Sequence, residues 1–144
     1  MKHYHSNQMG NPLFMIIQGT TGTRKSHLIG AINQSFQMAS MENPSPLLLL
    51  APTGVATFNI GACTIHSKLQ IPITDFAQLQ GTRLTSFQQE MENIKYILID
   101  EMSFIGQNML ENIDSRLRQA FPHKADISFG GIPFHTSHGV INVF

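Results

Sequence analysis

Three short, unbroken apolar runs constrain this chain most: Leu13-Phe14-Met15-Ile16-Ile17, Leu47-Leu48-Leu49-Leu50 and Tyr96-Ile97-Leu98-Ile99. Each has the length of a strand, and none alternates with polar residues, so each reads as a strand buried on both faces. Strands of that kind belong to parallel sheets covered by helices on either side, an α/β architecture. The punctuation agrees. The first run leads into Gly19-Thr20-Thr21-Gly22-Thr23, the second follows the breaker Asn43-Pro44-Ser45-Pro46 and closes at Pro52-Thr53-Gly54, and the third ends at Asp100-Glu101.

Helical patterns fill the intervals. Lys25 to Met38 reads as a helix, and short helical pieces are expected at Val55 to Ile60 and Ile65 to Leu69. Thr82 to Asn93 places Leu84, Phe87 and Met91 on one face. From Phe104 to Ala120 the apolar residues Met109, Leu110, Ile113 and Leu117 recur at helical spacing, with Gln107, Asn108, Glu111, Asn112, Asp114 and Ser115 opposite. Arg116 and Arg118 of that helix are expected on a solvated face, with contact to DNA or to a second lobe as the alternative.

A length of 144 residues, 42% of them hydrophobic, supports one domain with a real core. Only 12% are charged, which excludes disorder and fits either a Gln- and Asn-rich surface or one that faces another domain. The formal net charge is zero, so no global basic field announces nucleic acid. The single cysteine, Cys63, excludes a disulfide partner and a Cys-based zinc site and suits a reducing compartment. No apolar run approaches the roughly 18 residues that span a bilayer, and Met1 to Asn11 lacks the apolar core of a signal peptide. An intracellular protein with no membrane partner is expected. The pairs His3/His5 and His135/His138 read as scattered surface histidines, and the methionines as core filler.

The strongest chemical signal is Gly19-Thr20-Thr21-Gly22-Thr23-Arg24-Lys25-Ser26, set between a strand and a helix. A phosphate-binding loop reads G-x-x-x-x-G-K-[ST]; its backbone N–H groups wrap the phosphates, its lysine neutralises their charge and its hydroxyl ligates Mg²⁺. Gly19, Lys25 and Ser26 stand in the required places. Arg24 replaces the second glycine, where a side chain takes space and restricts the backbone close to the phosphates. A Gly/Thr-rich connection without a ligand is the competing reading. Against it stands Asp100-Glu101, two carboxylates at the C-terminal end of an apolar strand, where α/β sheets bind ligands. With the loop upstream, they read as a Mg²⁺-organising Asp100 and a water-polarising Glu101.

An ordered series then runs along the chain: Gly19 to Ser26, Ala51-Pro52-Thr53-Gly54-Val55-Ala56, Asn59-Ile60-Gly61, Thr64-Ile65-His66-Ser67, Ile99-Asp100-Glu101-Met102-Ser103, Ile113 to Arg118 and Phe129-Gly130-Gly131. That series resembles the Pif family of superfamily-one DNA helicases, particularly the helicase-like sequences of Helitron transposable elements. The resemblance spans about residues 12 to 134, between a polar extension at 1–11 and a divergent tail at 135–144. It implies a RecA-like P-loop NTPase lobe of an ATP-dependent helicase that tracks along single-stranded DNA in the 5′ to 3′ direction, with roles in DNA repair, recombination and telomere maintenance. A nuclear location is implied, with the mitochondrion as second choice.

By the same resemblance, Lys25 holds the phosphates of ATP, Ser26 and Asp100 serve Mg²⁺, and Glu101 activates water. Pro52, Thr53, Gly54 and the neighbourhood of His66 line the DNA path. Thr53 equally suits a helix cap, and His66 a hydrogen-bonded structural histidine. Beyond Pro133 the family continues with an apolar strand and a Gly-Asp…Gln-Leu-Pro-Pro segment; this chain reads Phe134-His135-Thr136-Ser137-His138-Gly139 and ends at Phe144. The expectation is an incomplete first lobe, inactive alone without a second lobe or a full-length relative. The alternatives are a non-catalytic module that binds nucleotide or single-stranded DNA, and a transposon-derived remnant left unstable by the replaced strand.

Overall fold

The computed structural model describes residues 15–19, 25–40 and 45–139. Five strands form one sheet: β1 (Met15–Gly19), β2 (Leu47–Ala51), β3 (Cys63–Thr64), β4 (Tyr96–Ile99) and β5 (Phe134–Gly139), in the order β1-β5-β4-β2-β3. Every pairing is parallel. The helices between them are α1 (Lys25–Ala39), α2 (Gly54–Ile60), α3 (Ile65–Lys68), α4 (Gly81–Met91) and α5 (Gln107–Ala120). This is the expected α/β lobe, and each helix lies within a few residues of its place in the sequence pattern. The helix expected from Phe104 begins at Gln107, because Met102–Phe104 is a separate turn of 3₁₀-helix and Gly106 caps α5.

The second and third apolar runs are buried on both faces, and their successive residues divide between two cores. Leu48 and Leu50 of β2 and Ile97 and Ile99 of β4 join Phe87 and Met91 of α4 and Ile113 and Leu117 of α5. Leu47 and Leu49, with Tyr96 and Leu98, join Ile29 of α1 and Ile60 of α2 on the opposite face. The Phe36 and Tyr96 rings meet at 4.9 Å, which seats α1 on the sheet. Continuous hydrophobicity is what a strand needs when both of its faces lose water, each buried Leu or Ile being worth about 1.5–3 kcal/mol.

Two expectations are corrected. The polar stretch after Pro133 does not replace a strand: Phe134–Gly139 is β5, paired on one edge with β1 and on the other with β4. The ladder is made by backbone N–H and C=O groups, which a polar sequence supplies as fully as an apolar one.

Arg116 is not on a solvated face. It is fully buried, because position 116 lies three residues from Ile113 and four from Ala120, on the same inward stripe of α5. Arg118 is half-buried, donating from Nε to Asp114 and from Nη1 to the Ala125 carbonyl, each at 2.7 Å. Among the described residues, no helix is long and apolar enough to cross a membrane, and no group of three or more His, Cys, Asp or Glu side chains is placed to hold a metal. His3 and His5 lie outside the described residues.

The return from α5 to β5 depends on close backbone contact. Gly130 has φ +63°, and a Cβ there would lie 2.6 Å from the Leu117 carbonyl oxygen. Asp114 accepts the Phe129 N–H and so holds the same turn against α5. Gly130→Ala is expected to lower stability by about 2–3 kcal/mol, from overpacking and a backbone angle that L-residues avoid. Gly54→Ala, where an added Cβ meets nothing, is expected to change it by less than about 0.5 kcal/mol. Urea denaturation of the two variants measures the contrast.

Candidate nucleotide and DNA site

The parallel sheet brings the C-terminal ends of its strands to one edge, and the residues singled out in the sequence gather there. Gly19 closes β1 and pairs with Gly139 at the end of β5. On the far side of β5, Ile99 is level with Thr136, so Asp100 follows at the end of β4. Two strand spacings, about 10 Å, separate β1 from β4. Lys25 and Ser26 open α1, the helix that follows β1, with Lys25 half-buried and Ser26 exposed. No acidic residue occupies the first turn of α1, so nothing on the helix itself opposes an anion at its N-terminus. Thr20 to Arg24, the middle of the loop, lie outside the described residues.

Asp100 is 7% exposed, and its N–H donates to the Leu50 carbonyl at 2.9 Å, which ties it to β2. Its carboxylate oxygen Oδ1 accepts the N–H of Glu101, also at 2.9 Å. Glu101 sits in the left-handed region, φ 56° and ψ 43°, a conformation that costs an L-residue about 1–2 kcal/mol. The strained corner turns the chain sharply from β4 into the 3₁₀ turn, where the Phe104 N–H reaches the Glu101 carbonyl at 3.0 Å. One carboxylate is thus held at the strand end while the next remains half-exposed beside it.

Further along the same edge, Thr64 is level with Ala51, and Pro52-Thr53-Gly54 follow β2. Thr53 is the N-cap of α2: its φ/ψ of −124°/152° is extended, and its Oγ1 accepts the Ala56 N–H at 3.3 Å. The Thr53 side chain is exposed while it makes this cap. Gly54 has neither a positive φ nor a neighbour that a Cβ would strike, so packing gives no reason for glycine there. His66, on α3, is half-buried, and its carbonyl accepts the Ile71 N–H at 3.0 Å. The structure therefore brings Gly19, Lys25, Ser26, Asp100 and Glu101 to one end of the sheet, with Thr53, Gly54 and His66 toward its β3 side.

The sequence model of the PIF1-like helicase family matches residues 2–135. The chain belongs to the PIF1-like helicase family. Its relatives include the ATP-dependent DNA helicase Pif1 of Campylobacter jejuni, 26% identical over 115 residues, covering 74% of this chain and 25% of the relative. The ATP-dependent DNA helicase RRM3 of Saccharomyces cerevisiae is 29% identical over 118 residues, covering 79% of this chain and 16% of the relative. The chain spans a quarter or less of the curated relatives it matches. Among solved structures, Bacteroides Pif1 bound to single-stranded DNA superposes with a TM-score of 0.67 at 26% identity, over 90% of this chain and 28% of the other. Bacteroides Pif1 in complex with ADP-AlF3 and single-stranded DNA gives 0.70 at 21% identity, over 96% and 30%. The lobe is thus the RecA-like part of a PIF1-like helicase.

Reading the sequence missed the group around Arg116. Arg116 lines a cavity with His66, Gln70 and Arg83. The signal was available: with Ile113, Leu117 and Ala120, Arg116 completes an i, i+3, i+4, i+7 stripe. The left-handed Glu101 had no such signal, since nothing in Asp-Glu-Met-Ser requires it. Relief of that strain is measurable. Glu101→Gly is expected to stabilise the fold by about 0.5–1 kcal/mol, because glycine adopts this conformation freely. Glu101→Val, β-branched, is expected to destabilise it. Chemical denaturation of the purified variants checks both signs.

Proposed function

We propose that this chain forms the ATP-binding lobe of a DNA helicase that translocates 5′ to 3′ on single-stranded DNA. The observation that carries the reading is the common sheet edge shared by Gly19, Lys25, Ser26 and the Asp100-Glu101 corner. The residues fit Mg·ATP. Lys25 and the N-terminus of the 15-residue helix α1 supply positive charge to phosphate, and Ser26 and Asp100 offer hard oxygen ligands of the kind Mg²⁺ prefers. When bound, the metal screens the phosphate charge. Glu101, half-exposed, orients a water and takes its proton at the carboxylate. The strained corner fixes the Glu101 backbone beside the buried Asp100, which pre-orients the pair.

The DNA path follows Pro52, Thr53 and Gly54 toward His66. Two observations support it: an exposed Thr53 and a Gly54 whose missing side chain no packing explains, as where a backbone approaches a ligand. Backbone and hydroxyl donors of this sort hold phosphates without reading sequence. The solved Bacteroides Pif1 complexes contain single-stranded DNA and ADP-AlF3, which supports both ligands. Within the family, the ordered motif series supports placement with Helitron-carried helicases. The DNA substrate supports action in the nucleus or mitochondrion, in repair, recombination or telomere maintenance.

The 144 residues alone are expected to turn over slowly. They span a quarter or less of the length of their curated relatives, and an arginine finger supplied from outside such a lobe is worth about 10³–10⁵ in rate where it acts. Arg24 weakens nucleotide binding as well, by placing a side chain where the loop backbone meets the phosphates.

Binding of labelled ATP with Mg²⁺ tests this reading. Arg24→Gly is expected to bind at least about tenfold more tightly than the parent chain, and Lys25→Ala to lose binding, a charge-assisted phosphate contact being worth about 1.5–3 kcal/mol. Equal binding by all three proteins would remove the site assignment. Parent-chain hydrolysis at a helicase-like rate, stimulated by single-stranded DNA, would overturn the claim that it is slow alone.

A further inference from the structure

Beside α3 the surface opens into a cavity of about 500 Å³ whose lining includes His66, Gln70, Asp75, Arg83 and Arg116. Arg116 is fully buried, yet its hydrogen-bond partners are neutral. It donates to Gln119 Oε1 at 2.7 Å and to the carbonyls of Gln70 and Ala77 at 3.1 and 2.8 Å. Its guanidinium carbon lies 4.8 Å from the centre of the Phe76 ring, and its Nε has no partner. Arg83, exposed, donates to the Gln70 side chain at 3.4 Å, so two guanidinium groups bracket one glutamine. Gln70 itself holds a left-handed φ of 50°.

Burial and the neighbouring Arg83 both push the Arg116 pKa below its ordinary value, but a guanidinium stays charged near neutral pH. The ion pairs among the described residues join Lys68 to Glu90 and Arg118 to Asp114. Neither Arg83 nor Arg116 takes part in one, and Asp75, the one carboxylate among the lining residues, pairs with neither. Two like charges, one of them fully buried and neither in an ion pair, leave a local field that favours an anion. Arginine forks match phosphate oxygens, and His66, a further donor, lines the same cavity. The volume exceeds that of a bare ion and falls within the range of small-ligand sites, about 300–1,000 Å³.

We infer that the His66–Arg83–Arg116 cavity is a second anion site, which takes a phosphate group carried on a free monoester or on a nucleic-acid backbone. Arg83 contacts the phosphate through the N–H groups that Gln70 leaves unused, and His66 donates beside it. Arg116, closed off behind them, does not touch the ligand; it supplies the field. His66 lies on α3, which follows β3, the strand four spacings, about 19 Å, from β1 across the sheet. It shares His66 with the proposed DNA path but stands on the two arginines, independently of that reading.

The test is a titration of the full 144-residue chain with inorganic phosphate, against chloride at matched ionic strength, followed by NMR at the arginine Nε–H resonances. A saturable shift of the Arg83 resonance is expected. Because Arg83→Gln removes that resonance, its phosphate affinity is read from the backbone amides of residues 66–79 and is expected to be at least about tenfold weaker. His66→Gln is expected to weaken binding less. Arg83 is exposed, so Arg83→Gln should still unfold cooperatively. A response to phosphate no larger than to chloride overturns the inference, and so does unchanged affinity in Arg83→Gln. Oligothymidylate that displaces phosphate identifies a nucleic-acid backbone as the source; failure to displace it identifies a free monoester. Lys25→Ala, which removes the proposed nucleotide site, should leave this titration unchanged.

Discussion

Strand β4 is paired on both edges, to β2 on one side and β5 on the other, and the rest of the lobe depends on that double ladder. Ile97 and Ile99 are completely buried on one face, while Tyr96 and Leu98 are buried on the other. A strand held this way has no freedom to slip, because a one-residue shift would exchange its two sets of side chains between different cores. Its last hydrogen bond, from the Asp100 N–H to Leu50, carries the order of the sheet into the first residue of the candidate site. The Asp100 carboxylate is therefore placed by the sheet rather than by a loop.

From that anchor the site is assembled by direction alone. All five strands run parallel, so the C-terminal ends of β1, β2, β3 and β4 lie at one edge although they are far apart in sequence. The backbone turns away differently after β2 and after β4. After β2, Thr53 caps α2; after β4, Glu101 takes a left-handed conformation and starts a 3₁₀ turn. The first exit is relaxed and the second is strained. Strain persists only where surrounding structure over-determines the backbone, and here the buried Asp100 and the Phe104 N–H hold it from either side.

Much of this was legible in the sequence because it rests on local chemistry. Leu47 to Leu50 and Tyr96 to Ile99 announce doubly buried strands by unbroken hydrophobicity, and Thr53 announces a cap by its position before a helix. The strand at Phe134–Gly139 was not legible, since its polar side chains hide a ladder that only backbone groups make. Arg116 was misread for a related reason. Residue type favours solvent for arginine, whereas its place on the α5 stripe puts it inside, where backbone carbonyls some 40 residues distant accept hydrogen bonds from its Nη2.

By itself the sequence determined the α/β class, the extents of most elements, the motif series and the family, because periodicity, turn chemistry and ordered motifs are properties of contiguous residues. Only the tertiary structure decided that β5 lies between β1 and β4, that Glu101 is strained, and that Arg83 and Arg116 share a cavity with His66. Those depend on which distant segments meet. Such contacts are selected by burying two faces of one sheet together, a condition imposed by the whole chain and by no local stretch of it.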